Sequence, residues 1–215
     1  MRRAVPAGGS HPGSESEFSE GIRFTGKFHA GDSPVHAALA KLTSLLQAMR
    51  IPYAVVGAMA LNEYGYRRAT VGVDVLLTAE GLARFKREWL GRGYVERFAG
   101  SRGVRDSEND VPIDFLLSGD YPGDGKPKEV RFPDPAVEGV RGRRVTLLPL
   151  ERFLELKLAS GLSAPHRLRD LADVLEVIRT LDLAEDVAER LALSVRDKYR
   201  ELWGAARSAG PDEDR

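Results

Sequence analysis

Apolar residues recur along this chain in two rhythms, and the switches between them mark out the predicted elements. Behind Ser33 and Pro34, a cap-like residue and a proline suited to a first helical turn, Val35, Leu39, Leu42, Leu45 and Leu46 return at helical spacing and predict a helix over 33–50. "IPYAVVG" then reads as a short strand running into Gly57, "AMALNEYG" as a helical turn or two closed by Gly65, and "ATVGVDVLLT" as a second strand. "AEGLARFKREWLGRGY" is amphipathic, with Leu82, Phe85, Trp89 and Leu90 inward and Gly91 or Gly93 closing it. "YVERFA", "GVRDS" and "VPIDFLLS" predict three further strands, and "GDYPGDGKPKEVRFPDP" a loop dense in Gly, Pro and charge. "RRVTLLP" predicts a last short strand.

From Pro149 onward the rhythm is helical. "LERFLELKLAS", "HRLRDLADVLEVIRTL" and "LAEDVAERLALSVRDKYRELWGAA" predict three helices, and Leu168, Leu171, Leu175 and Ile178 form the expected buried stripe of the second. A helix, then mixed strands with helices between them, then a helical end, predicts an α/β (α+β) fold: a small mixed sheet flanked by helices. The expected organisation is a disordered leader at 1–32, an α/β core at 33–148, a C-terminal helical region at 149–206 and a frayed tail at 207–215. No internal repeat is visible.

Composition narrows the function classes. Lys plus Arg equals Asp plus Glu at 32 each, so the chain has no general attraction to nucleic acid or anionic membrane. With no cysteine, disulfides, thiolate metal sites and cysteine nucleophiles are excluded. The early arginines have no apolar segment behind them, and no apolar run is long enough to span a bilayer, so the expectation is a soluble cytoplasmic protein without a membrane partner.

Candidate chemistry lies at four places. Asp74 in "VGVDVLL" and Asp114 in "VPIDFLLS" each stand alone in an apolar strand. Two carboxylates on neighbouring strands repel unless a cation or protons lie between them, and Mg²⁺, which prefers oxygen ligands and keeps several waters, would resolve the conflict. The plainer alternative is that each acid is solvated at a strand end or paired with an arginine. Gly57 and Ala58 open a short helix straight after a strand, a geometry that presents backbone N–H groups to an anion such as a triphosphate. Arg67 and Arg68 would then meet phosphate or solvate a turn. Lys157 falls on the apolar stripe Leu150, Phe153, Leu154, Leu158, where a lysine either snorkels out or aims its ammonium into a cleft. Arg167, Arg169, Asp170 and Asp173 are spaced as a surface salt-bridge ladder.

Other motifs fail. "GDYPGDGK" is one residue too long from Gly119 for a P-loop, and Pro127 stands where a metal-binding Ser or Thr is required. "GRGYVE" lacks the third glycine of a dinucleotide fingerprint. His11, His29, His36 and His166 are scattered without zinc spacing, and there is no G-x-S-x-G elbow.

The order of these signals, from the strand into Gly57 and its short helix through "GYRRAT", an acidic strand, a later strand with one aspartate and "LPLERFLELKLAS" to "RLRDLADVL", resembles the minimal nucleotidyltransferases of the polymerase-beta-like superfamily. The nearest branch by this resemblance is the stand-alone bacterial proteins related to abortive-infection toxin nucleotidyltransferases, and the likeness covers roughly 52–178. It implies a nucleotidyltransferase fold, with Gly57 and Ala58 contacting nucleotide phosphates and Lys157, Arg68 and Arg167 adding to that contact. It also implies that Asp74 and Asp114 bind divalent metal, Mg²⁺ or Mn²⁺, and that Asp114 helps deprotonate the attacking hydroxyl. The implied reaction moves a nucleoside monophosphate from a nucleoside triphosphate to an acceptor: a small molecule, a protein or tRNA. The superfamily strand usually carries Asp-x-Asp, whereas here the positions are Gly72 and Asp74, which implies weak turnover. The alternative is a catalytically inactive pseudoenzyme on the same fold, acting as a nucleotide- or protein-binding, toxin–antitoxin-like partner.

Overall fold

The computed structural model describes residues 33–208. The expected leader at 1–32 and the residues 209–215 of the expected tail lie outside the described residues; the last helix continues through Ser208.

In chain order the elements are α1 (Pro34–Ala48), β1 (Ala54–Val56), α2 (Gly57–Tyr64), β2 (Val73–Leu77), α3 (Ala79–Trp89), β3 (Tyr94–Glu96), β4 (Val104–Asp106) and β5 (Val111–Leu117). After them come α4 (Pro135–Glu138), β6 (Val140–Arg141), β7 (Thr146–Leu147), α5 (Leu150–Ser163), α6 (Leu168–Thr180) and α7 (Leu193–Ser208). Short 3-10 helices precede α6 and α7, at Pro165–Arg167 and Glu185–Arg190. The seven strands form one mixed sheet in the order β3-β4-β5-β2-β1-β7-β6. β2 runs parallel to β5 and antiparallel to β1, so the two central pairings meet on β2.

The core explains the elements. Val73, Val75, Leu76 and Leu77 of β2 and Val111, Ile113 and Phe115 of β5 are buried, as central strands covered by helices require. Val35, Ala38, Leu39, Leu42 and Leu46 bury one face of α1, as their spacing predicts. Phe85 of α3 stacks edge-on against Tyr94 and packs on Phe115, tying the helix to the far side of the sheet. No described helix is long and apolar enough to cross a membrane.

Three local readings change. β2 is shorter than "ATVGVDVLLT" suggested, because side chains take over the backbone groups before it. Asn62 donates to the Arg68 carbonyl at 2.8 Å and accepts from the Arg68 N–H at 3.0 Å, and the Thr70 hydroxyl bonds Gly72. The region read as one helix from Leu183 is broken at Leu191–Ala192, where distant carboxylates capture the first N–H groups of α7. Glu155 accepts from Ala192 at 2.7 Å, and Glu129 accepts from Leu193 and Ser194 at 3.3 and 2.9 Å. The expected leucine stripe of α6 is rotated. Leu168 is exposed and Leu171 and Leu175 are partly covered, while Asp170, Asp173, Val174, Val177 and Ile178 are buried.

Candidate active site

The geometry starts at the β1–α2 turn. Val56 pairs with Asp74 across the antiparallel ladder, which brings the carboxylate of Asp74 beside the first residue of α2. That residue is Gly57, at φ +63°, and a Cβ built on it would lie 2.0 Å from Asp74 Oδ2. Only glycine fits, for reasons of both backbone and space.

On the other side of β2, Asp74 pairs in register with Asp114 of β5. Directly paired residues of neighbouring strands project to the same face, with backbones about 4.8 Å apart. The two carboxylates therefore share a face, and their environments differ. Asp74 is half-buried and its pKa is pushed up to about 6, chiefly by burial and next by the negative charge of Asp114; Lys157, Arg167 and Arg68 pull the other way. Asp114 is exposed, and Arg97 Nη1 donates to its Oδ1 at 2.9 Å. Gly103 leaves room for that pair: a Cβ there would lie 2.7 Å from Asp114 Oδ1 and 3.3 Å from Arg97 Cδ.

Asp74 and Gly57 open onto a cavity of about 330 Å³ whose opposite wall is α5 with the start of α6. Lys157, Ser160, Arg167 and Asp170 line that wall, and Arg102, Asp120 and Tyr121 line the side reached from the β5 end. The loop between β5 and α4 docks onto α5 at Gly123, where a Cβ would lie 2.0 Å from Ser163 Oγ.

Lys157 neither snorkels to solvent nor reaches freely into the cavity. Its ammonium donates to Asp170 Oδ1 at 2.7 Å and to Asp173 Oδ2 at 2.8 Å, and both acids are buried. Asp170 also accepts from Ser160 Oγ at 2.6 Å and Arg167 Nε at 2.7 Å, and Asp173 pairs with Arg68. Burial raises the Asp170 carboxyl, but the charge and hydrogen bond of Lys157, with Ser160 and Arg167, hold it below the usual range. These aspartates are not the surface ladder expected from their spacing, because Lys157 arrives from α5 and turns them inward. The same network accounts for the rotated stripe of α6.

The residues picked out in the sequence thus divide. Gly57, Asp74, Lys157 and Arg167 line one cavity; Asp114 pairs in register with Asp74 but is not among the residues that line it; Ala58 is buried one residue into α2. Arg68 meets the site through Asp173. Arg97, Gly103 and Ser160 were missed as site residues, and Asp170 and Asp173 read in the sequence as a surface ladder. The first two fall in the predicted strands "YVERFA" and "GVRDS"; in the structure they lie just outside β3 and β4 and reach Asp114 only through the strand order. The last three needed the α5–α6 packing. A wider cleft of about 750 Å³ lies between the 118–138 segment and Arg152, Glu155 and Arg190. Its acids are engaged in caps and pairs: Asp134 caps α4, Glu138 and Glu155 bind Arg152, and Glu129 caps α7.

The donor set fits one hard divalent cation. Two carboxylates on one face, one of them half-buried and disfavoured by its neighbour's charge, match an ion that takes one or two protein carboxylates and fills its shell with water and substrate oxygens. Among the described residues no group of three His, Cys, Asp or Glu could hold a metal ion.

Known structures place the fold. The chain is similar to ANT(2")-Ia in its complex with adenylyl-2"-tobramycin, with a TM-score of 0.50 and 15% identity over 77% of this chain and 96% of that one. A solution structure of the antibiotic-resistance factor ANT(2")-Ia has a TM-score of 0.44 at 14% identity, over 79% of this chain and 89% of that one. JHP933 from Helicobacter pylori has a TM-score of 0.38 at 16% identity, over 79% and 90%. No family model matches the sequence and no curated protein does. The first of these structural matches carries the assignment: the chain has the nucleotidyltransferase fold, a mixed sheet with flanking helices.

Proposed function

We propose that the protein is a nucleotidyltransferase that moves a nucleoside monophosphate from a nucleoside triphosphate to an acceptor hydroxyl, with Mg²⁺ or Mn²⁺ as the metal. The observation that carries this reading is the in-register placement of Asp74 and Asp114 beside the Gly57 turn, on a fold shared with a nucleotidyltransferase. The acceptor oxygen attacks the α-phosphorus, the bond to the β-phosphate oxygen breaks, and pyrophosphate leaves. Asp114, exposed beside Asp74, takes the hydroxyl proton, while the start of α2 and Arg167 hold the triphosphate and Lys157 acts from behind through Asp170. A divalent ion bound at the carboxylates would supply neutralisation of charge on the phosphates. The motif order resembling abortive-infection toxin nucleotidyltransferases makes tRNA one acceptor class to try, beside small molecules and proteins.

The test is incubation with α-labelled triphosphates, Mg²⁺ or Mn²⁺, and acceptor mixtures. Label transfer that is lost in Asp74→Asn and Asp114→Asn supports the reading; no transfer by the native chain under any metal, with transfer after Gly72→Asp, overturns it as an active enzyme. The second reading, a pseudoenzyme that binds nucleotide or a protein, is favoured by Gly72 itself. Calorimetry showing triphosphate binding without metal dependence would select it.

A further inference from the structure

A phosphoryl-transfer site with two metal ions holds them about 3.5–4 Å apart, and each needs anionic ligands of its own. Here the protein offers two carboxylates on one face, Asp74 and Asp114. The position two residues before Asp74 on the same face is Gly72. A Cβ there would lie 3.1 Å from the Pro112 carbonyl oxygen and 3.4 Å from Pro112 Cγ, so the neighbouring strand crowds, without blocking, the place where a further acid would project. Asp114 already has a cation, because Arg97 donates to its Oδ1 at 2.9 Å.

An ion pair between two exposed side chains is ordinarily worth little, and most such pairs are incidental. What distinguishes this one is Gly103. It is buried on β4's approach, and a Cβ there would lie 2.7 Å from Asp114 Oδ1, which would have to move, and in tight contact with the Ile113 carbonyl oxygen at 3.0 Å and Arg97 Cδ at 3.3 Å. Gly103 leaves room for the Asp114–Arg97 pair, as Gly57 does for Asp74, though without the left-handed backbone of Gly57. The two aspartates therefore stand in two prepared seats, one open to a metal ion and one carrying a guanidinium.

We infer that the Asp74–Asp114 pair is built for one divalent cation, and that Arg97 holds on Asp114 the positive charge that a second cation would otherwise bring. The inference rests on the nucleotidyltransferase reading and specifies its metal site. Arg97 acts through Asp114 and is a positioning residue: it leaves Oδ2 for the cation or the hydroxyl proton and fixes the carboxylate's orientation through Oδ1.

The test is Mn²⁺ titration of the full chain, followed by electron paramagnetic resonance without nucleotide. The native protein should saturate at one ion. Arg97→Ala frees Asp114 and removes a nearby positive charge, so it should bind Mn²⁺ about tenfold more tightly, while Arg97→Lys should stay near the native value. An arginine with a merely structural role would leave affinity unchanged or weaken it when removed, and that result would overturn the inference. Saturation of the native chain at two ions would overturn it as well. Calorimetry with a non-hydrolysable triphosphate and Mg²⁺, run in parallel, separates the failures. Two ions with intact triphosphate binding sink only the one-cation inference, whereas absent triphosphate binding sinks the nucleotidyltransferase reading and this inference with it.

Discussion

Asp74 and Gly57 are locked to each other: a Cβ on Gly57 would lie 2.0 Å from Asp74 Oδ2 and 2.8 Å from its Cγ. The carboxylate of β2 thus rests against bare backbone at the start of α2. Gly57→Ala meets two obstacles, the left-handed φ of +63° and this overlap. A left-handed non-glycine residue costs about 1–3 kcal/mol, and displacing Asp74 adds to that. Urea denaturation should show a loss of at least about 2 kcal/mol, and nucleotidyl transfer should be lost even where the variant remains folded. Gly65→Ala, also left-handed at φ +103° but with its nearest neighbour a leucine methyl at 3.6 Å, should lose stability and keep activity.

Asp74 should also govern the pH dependence of stability in an unusual direction. Its pKa rises from 3.8 to about 6 on folding, so between about pH 4 and 6 the unfolded chain gives up this proton and the folded chain keeps it. Stability contributed by Asp74 therefore falls as pH rises through that window and stays reduced above it. Asp170 and Asp106 have the opposite sign. Burial raises both, but Lys157 and Lys41 respectively, with further hydrogen bonds, leave them below the usual value, so their contribution is present above about pH 4 and is lost as pH falls through their folded values. Asp74→Asn should gain on the order of 2 kcal/mol at pH 7.5 by removing the buried charge, and the gain should vanish below pH 4. Thermal melts across pH 3–8 check this; a variant no more stable than the native chain at pH 7.5 would contradict it.

Lys157 joins two buried acids, and its removal should be costly. Lys157→Met leaves Asp170 with Ser160 and Arg167, and Asp173 with Arg68. Breaking a buried ion pair by deleting one partner costs about 3–5 kcal/mol because a buried charge is left behind. The double variant Lys157→Met with Asp173→Asn should be less destabilised than the sum of the single changes, a coupling that urea melts of all four proteins can measure.

The strands, their aspartates and the helices of this fold are legible because burial imposes rhythm. Val73, Val75 and Leu77 alternate around Asp74, and Leu39, Leu42 and Leu46 recur at helical spacing. What the sequence hides is whatever a distant residue supplies. Asp170 and Asp173 read as surface charges until Lys157 of α5 meets them. The start of α7 is set by Glu129 and Glu155, which lie 65 and 37 residues from the N–H groups they capture. Arg97 gains meaning only because β4 and β5 pair and bring the preceding loop against Asp114. The in-register alignment of Asp74 with Asp114 is likewise a property of strand pairing, which neither strand announces alone.

Gly72 offers the sharpest reading of the missing acid, because crowding and charge can be separated there. Its backbone is not left-handed, and the Cβ of an alanine would meet the Pro112 carbonyl oxygen at 3.1 Å, close enough that Pro112 must give by a few tenths of an ångström. Gly72→Ala should therefore cost about 1 kcal/mol, the low end for an added methyl. Gly72→Asp brings the same crowding and adds a carboxylate two residues from Asp74 on the same face, where like charges disfavour each other. Without metal it should melt below Gly72→Ala at pH 7.5. With Mg²⁺ the order should reverse, since a ligand that binds only the folded state stabilises it by mass action and the added carboxylate completes a stronger site. Melting curves of the native chain and both variants, with and without Mg²⁺, decide the matter. If Gly72→Asp responds to Mg²⁺ no more than Gly72→Ala does, the face shared by Asp74 and Asp114 is not a metal site.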